Sequence, residues 1–364
     1  MNEILASYYS MNNKKRIILV LGIYRSGTSA LTKGLETMGV SIVDQENTIF
    51  NSFNEKGYWE DLGINDFNMK LIASLEPLEH RLRSILPLSE KEVDFLCDNG
   101  FLKQGADLLL SRLSVLSQPL GLKDPRFCMV LPFWKRVFQT CNLAVSFVIS
   151  LRNPLSTIGS MKAFATLCEP INLNGAKFFW TWIAYMSSAL EQTEGCDRLL
   201  VDYDELVKDP AREIERIAHV CQLEIIDERL QIYCDDFIDR SLCHFHGAED
   251  RFLEKGLCRT FAVEMYEKLS PVAKGISHFQ TLNNSLEKWR EQLATAEAFL
   301  ILVEKEEYEV KKIQKTLQER EQMIASLHAK VNEQMRSLAS CYTTIHQRNL
   351  QIAALMQEKI DRSA

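Results

Sequence analysis

Ile17-Ile18-Leu19-Val20-Leu21 runs directly into Gly22-Ile23-Tyr24-Arg25-Ser26-Gly27-Thr28-Ser29, and this junction decides the fold. Five consecutive apolar residues, mostly branched, leave no polar face, which predicts a strand buried on both sides, as in a parallel sheet. The glycine-bracketed stretch reads as a turn. Ala30 to Met38 then carries a helical pattern that Gly39 is placed to end. Strand, glycine turn and helix in this order make an anion cradle. Backbone N–H groups of the turn and first helical turn point outward, and the helix dipole favours negative charge there.

The turn compares with the phosphate loop G-x-x-x-x-G-K-[ST], with one departure: Thr28 stands where the lysine belongs. In nucleoside triphosphatases that lysine reaches the β- and γ-phosphates. Its loss argues against a kinase or an ATP hydrolase, the nearest rival reading of such a loop. Phosphate binding survives the loss, because Arg25 offers a fork of donors and Ser26, Thr28 and Ser29 offer hydroxyls.

The same texture returns further along the chain. Leu143 to Leu151 reads as a second buried strand, entering Arg152-Asn153-Pro154 and a helical stretch from Leu155. Pro154 suits a first helical turn, which brings Ser160, a little over two turns on, toward the same group as Arg152. Arg198 to Tyr203 is a third strand candidate, followed by helical pattern over Pro210 to Val220, and Leu120 to Lys123 is a short fourth. Alternating strands and helices predict an α/β, P-loop-like, three-layer fold around a central parallel sheet. Ligands of such sheets bind beyond the carboxyl ends of the strands, where each of these polar motifs falls.

Composition narrows the partners. The chain has 364 residues, 46% of them hydrophobic, enough for one α/β domain and an appendage. A net charge of −7 argues against a nucleic-acid surface and makes any anion site local. The ten cysteines include no C-x-x-C pair, which suits reduced thiols in a cytoplasmic protein. Met1 to Arg16 lacks an apolar core and no run approaches the ~18 apolar residues of a span, so neither leader nor membrane helix is expected. Met11 is an alternative start.

Taken together, the motifs resemble those of the sulfotransferase superfamily, most closely a bacterial branch. The carriers are Arg25–Leu31 (RSGTSAL), Asn54–Glu60 (NEKGYWE), Lys123–Arg126 (KDPR), Leu151–Pro154 (LRNP) and Val201–Pro210 (VDYDELVKDP), spread over about residues 15–225. The resemblance implies a donor, 3′-phosphoadenosine 5′-phosphosulfate (PAPS), with no metal. By it, Arg25, Ser26, Gly27, Thr28 and Ser29 grip the 5′-phosphate, and Arg152 and Ser160 the 3′-phosphate. It also implies a hydroxyl-bearing acceptor (a glycan, lipid or small molecule), with a carbohydrate or glycolipid expected. Residues 62–118 and 225–280 are expected to shape its pocket.

Sulfuryl transfer requires that the acceptor lose a proton and the leaving phosphate gain charge, tasks met by positioning and electrostatics. Lys123 is the expected electrophilic support. Arg126 serves the nucleotide, the acceptor or the loop itself. The small-molecule branch uses a histidine in a K-x-H arrangement, which Lys123-Asp124-Pro125 lacks. Other branches of the family use a glutamate, and by that resemblance Glu60, closing Asn54–Glu60, is the expected base, with Glu55 and Asp61 as alternatives and with Tyr58 and Trp59 as desolvating neighbours. The spacing of His244, His246 and the flanking Cys243, Glu249 and Asp250 fits no familiar metal site. Trp180, Trp182 and Tyr185 read as part of a buried helix.

From Leu282 the pattern changes. Leu282, Trp289, Ala296, Val303, Val310, Leu317, Ile324, Val331, Leu338, Ile345 and Ile352 recur every seven residues, and neither Gly nor Pro follows Gly275. The second seam is apolar at Leu286, Leu293 and Leu300, polar at Glu307, Gln314, Glu321 and His328, then restored at Met335 and Tyr342. A long coiled-coil helix is expected, joining a second copy or a partner protein through a weak or mixed seam. The expected organisation is a flexible N-terminus (1–15), the nucleotide-binding domain (16–265), a connector (266–281) and the coiled coil (282–360). A non-catalytic assembly protein is the third reading, against which the intact loop residues argue.

Overall fold

β1 (Arg16–Leu21), β2 (Leu120–Lys123), β3 (Ala144–Leu151) and β4 (Arg198–Asp202) pair in parallel in the order β2-β1-β3-β4. This computed structural model describes residues 15–42, 56–79, 86–116, 118–168, 175–239 and 256–361. Ile17 to Leu21 are fully buried, as an all-apolar strand at the sheet centre requires.

Strand alternation divides β1 between two cores. Ile17, Leu19 and Leu21 join Phe147, Ile149 and Leu122 on one face. Ile18 and Val20 join Val148 and Val201 on the other. The first face is covered by α5 (Phe127–Thr140), α7 (Gly175–Gln192) and α11 (Leu257–Ala273). The second is covered by α1 (Thr28–Gly34), a 3-10 turn (Leu35–Met38) and α9 (Pro210–Cys221). These are the expected three layers. Gly39, at φ 72°, ends the turn after α1.

Between β1 and β2 the chain forms α2 (Leu62–Glu79), α3 (Glu90–Asp98) and α4 (Phe101–Ser114). Leu71, Leu75, Leu96 and Leu109 from these helices enter the first core, so much of the segment expected to shape an acceptor pocket is structural. α6 (Pro154–Cys168) follows β3, and α8 (Tyr203–Lys208) and α10 (Asp227–Ile232) frame α9.

The C-terminal boundary differs from the expected one. Residues 266–281 include the second half of α11, where Leu269, Val272 and Ala273 are core residues and Pro271 lies inside the helix. α12 (Asn283–Asp361) begins within the domain: Leu282, Trp289 and Leu300 are at most 4% exposed. The compact unit ends at Ile301. Residues 302–361 form a separate helical unit, along which Val310, Leu317, Ile324, Val331, Leu338, Ile345 and Ile352 are each at least half exposed. Among the described residues no helix is long and apolar enough to cross a membrane.

Candidate functional site

The carboxyl end of β1 lies between the carboxyl ends of β2 and β3, with Val20 opposite Lys123 and Leu21 opposite Ile149. That register places the Gly22–Ser29 loop between the Lys123 and Arg152 motifs. Ser26 Oγ donates to Ile23 O at 2.6 Å and Ser150 Oγ donates to Ser26 O at 2.6 Å, pinning the loop to its own start and to β3. Gly27, at φ 94°, precedes α1 in the left-handed region. A Cβ there would stand 2.0 Å from Cδ2 of Tyr203, so both the backbone and the available space demand glycine. Arg25 holds φ 66°, an uncommon state for a non-glycine residue and one that persists only where surroundings enforce it.

Those surroundings come from the β3 side. Arg25 Nε donates to Ser160 Oγ at 3.0 Å, and Arg152 Nη1 donates to Arg25 O at 2.8 Å. The Arg152 guanidinium stacks 4.6 Å from the centre of the Tyr203 ring. Arg152 is only 7% exposed, and its buried Nε has no hydrogen-bond partner among the described residues. Burial pulls the Arg25 guanidinium below its ordinary pKa, and the nearby charge of Arg152 acts the same way. Two guanidinium groups and a serine hydroxyl thus converge where an anion would relieve both the like-charge repulsion and the orphaned N–H.

The β2 side supplies the other half. Lys123, 4% exposed, donates from Nζ to Glu60 Oε1 at 2.7 Å, to Tyr58 O at 2.9 Å and to Ser29 Oγ at 3.3 Å. Asn65 Nδ2 donates to the second Glu60 oxygen at 2.7 Å. The expected pair of Glu60 and Lys123 therefore meets, and Ser29 ties it to the loop. Trp59 plays another part than desolvating Glu60: its ring packs against Phe237 and under Lys33, and its Nε1 bonds Lys56 O.

Neighbouring candidates take structural positions. Asp61 accepts two bonds from Arg112, at 2.7 and 3.2 Å, and caps α2 through Ile64 N. Arg126 folds back onto Asp124, whose other contacts are Asn68 and its own loop. Of the three readings for Arg126, holding the loop is the one its contacts fit. Burial raises the Asp124 carboxyl above its usual range, and the charge of Arg126 opposes this. Glu55, Cys243, His244, His246, Glu249 and Asp250 lie outside the described residues. Trp182 is fully buried within α7 and bonds Arg152 O, fixing the turn below the guanidinium.

Three contributors escaped the sequence reading. Tyr203 was visible as the end of a strand pattern and within the Val201–Pro210 motif, with no role at the loop assigned to it, although a parallel sheet sets the end of β4 beside that of β3, with Leu151 opposite Asp202. Ser150 reads as one polar residue in an apolar strand. Asn65 carries no local signal at all.

A parallel sheet with a lysine-free glycine loop at its carboxyl edge, flanked by buried basic side chains, defines a P-loop-like α/β domain of the anion-binding class. Residues 122–274, from β2 to just past α11, match the family model described as "Sulfotransferase domain". The matched segment includes Lys123, Arg152 and Ser160. No curated protein matches the chain. Among solved structures, the sulfotransferase domain of an olefin synthase from Synechococcus PCC 7002 is 18% identical, covering 71% of this chain and 96% of its own, with a TM-score of 0.42. A sulfotransferase domain from the curacin biosynthetic pathway is 15% identical over 70% of this chain and 98% of its own, with a TM-score of 0.43. A sulfotransferase from Mycobacterium tuberculosis is 14% identical over 66% and 76%, with a TM-score of 0.35.

Proposed function

We propose that the domain transfers a sulfuryl group from PAPS to a hydroxyl of a carbohydrate or glycolipid. One observation carries the reading. A single loop is bonded on one flank to a serine and a guanidinium (Arg25 with Ser160 and Arg152) and on the other to a lysine–glutamate pair (Ser29 with Lys123 and Glu60). A doubly phosphorylated nucleotide offers two anionic ends to such a site. The orphaned Nε of Arg152 and the bare Gly27 backbone fit such a ligand.

Residues 25–29 hold the 5′-phosphate through backbone N–H groups and hydroxyls, and Arg152 with Ser160 holds the 3′-phosphate. When bound, the donor supplies the electrophilic sulfuryl group. Glu60 receives the acceptor's hydroxyl proton on Oε1. Lys123, released from Glu60 as that charge is neutralised, keeps its bond to Ser29 and turns its ammonium toward charge developing on the phosphate side. The ion pair therefore holds the Glu60 carboxyl and the Lys123 ammonium side by side until the acceptor arrives.

The test is direct. Full-length protein incubated with PAPS and a panel of glycans and glycolipids is expected to release adenosine 3′,5′-bisphosphate. Failure to bind either nucleotide in calorimetry ends the proposal, and Mg²⁺-dependent ATP binding tighter than PAPS binding would replace it with a kinase.

Residues 302–361 act, in the same proposal, as a seam for a second copy of the chain. The exposed series from Val310 to Ile352 keeps one heptad phase throughout, which a free helix in water does not need.

A further inference from the structure

A cavity of about 330 Å³ lies between the carboxyl half of α7, the segment from Leu86 to Glu90, Pro132 of α5 and the first turns of α12. It is distinct from the site above. Trp182 bonds Arg152 O at the cradle end of α7, whereas the cavity begins at Ser187 and reaches Glu194, about 1.5 Å further per helical residue. Its volume falls within the ~300–1,000 Å³ of small-molecule pockets.

Two adjacent serines on α7 have different fates. Pro132 has no N–H, so the carbonyl of Cys128 loses its helical partner, and Ser188 Oγ donates to it instead. Ser187 is among the residues that line the cavity, and its Oγ is buried with no hydrogen-bond partner among the described residues. A buried hydroxyl left unpaired beside a cavity is a contact that a ligand can complete.

The walls state the ligand's chemistry. Leu88, Trp289 and Leu293 form an apolar floor. Four carboxylates also line the cavity, Glu90, Glu191, Glu194 and Glu297, against a single lining guanidinium, Arg290, which is 3.3 Å from Glu191. Ser187 and Glu191 lie one helical turn apart and so share a face of α7, and Glu194 follows in the turn just beyond its end.

We infer that this cavity binds a small amphipathic amine. Its hydrocarbon tail lies on Leu88, Trp289 and Leu293. Its ammonium faces the carboxylates and donates a hydrogen bond to Ser187 Oγ. Carboxylate-headed molecules of the same length are excluded by charge.

Calorimetry of the full-length protein with octylamine, octanol and octanoate tests this. The expected result is one saturable octylamine site, at least about tenfold tighter than octanoate. Ser187→Ala weakens it several-fold, and Leu293→Trp, which fills the floor, abolishes it. The double variant Glu194→Gln/Glu297→Gln changes only exposed residues and is expected to bring octylamine down to the affinity of octanol. No saturable octylamine site, equal affinity for octanoate, or octylamine binding unchanged in both Leu293→Trp and the double variant overturns the inference.

Discussion

Lys123 Nζ stands 2.7 Å from Glu60 Oε1, with the two side chains 3% and 15% exposed. Each of the two residues thus completes the other's charge in a site largely removed from water.

Their separate removal has separable consequences. Glu60→Gln is expected to lower turnover by about 10²- to 10⁴-fold, the range of a general base, while leaving donor affinity nearly unchanged. Lys123→Met also abolishes turnover, and it leaves a carboxylate without its partner. Breaking a buried pair costs about 3–5 kcal/mol, and the residual exposure of Glu60 places this loss lower, at about 2 kcal/mol. The double variant Glu60→Gln/Lys123→Met is expected to regain most of that stability and none of the activity. Urea midpoints beside rates of adenosine bisphosphate release check both halves. Additive destabilisation would sink the coupling.

Tyr203 meets both Gly27 and Arg152, and the proposed grip on the nucleotide rests on that meeting. Gly27→Ala is expected to destabilise the fold and abolish nucleotide binding. Tyr203→Ala on that background removes the 2.0 Å clash but leaves the φ strain, a residual of about 1–2 kcal/mol. Arg152→Lys keeps the charge and loses the planar group that stacks on Tyr203 and bonds Arg25 O, so donor affinity is expected to fall about tenfold or more. Calorimetry with adenosine 3′,5′-bisphosphate measures all three. Wild-type affinity in Arg152→Lys would remove Arg152 from the site.

What could be read from sequence was local. The strand of residues 17–21, the bare loop and a helix read from Ala30, which the structure begins at Thr28, follow from apolar runs and glycine placement within one short window. So does the placing of Lys123 and Arg152 at strand ends. The parallel order that sets them on either side of the loop depends on pairing across about a hundred residues, which no window contains. Tyr203 is likewise placed by tertiary pairing, whereas the Asn65–Glu60 bond and the Asp124–Arg126 clasp are short-range and depend on loop geometry that residue pattern does not encode. The heptad phase was legible, but sequence alone did not separate positions packed on the domain from positions facing water. Leu282, Trp289 and Leu300 share the pattern of the exposed residues beyond them.

Asp202 supplies a pH signature. Its Oδ1 accepts from the N–H groups of Asp204 and Glu205, and Tyr266 Oη lies 3.3 Å from Oδ2. Burial raises its carboxyl above the usual carboxylate range, and the charge of Asp204 adds to that. The folded state then holds this proton more tightly than the unfolded chain. Its contribution is fully present below the ordinary carboxylate pKa and is lost as pH rises through the raised value. Asp202→Asn keeps an N-cap and removes the charge, so the variant should gain on wild type as pH rises from about 3 to 7. Urea midpoints of both proteins across that range provide the comparison. A variant that loses ground with rising pH would contradict the assigned direction.

The last boundary is the sharpest to test, because two truncations twenty residues apart should behave in opposite ways. A chain ending at 301 keeps Trp289 and Leu300, both buried in the domain core, and sheds only the separate helical unit. It is expected to unfold cooperatively near the full chain's Tm and to sediment as a monomer, while the full chain self-associates. A chain ending at 281 loses Leu282, Trp289 and Leu300 at once. Removing one large buried side chain costs about 2–5 kcal/mol, so three together consume most of the about 5–15 kcal/mol that holds a typical domain. That protein is expected to be largely insoluble or molten at ambient temperature. If it folds as well as the chain ending at 301, the start of α12 contributes nothing to the domain, and the whole helix from 283 onward belongs to the coiled coil.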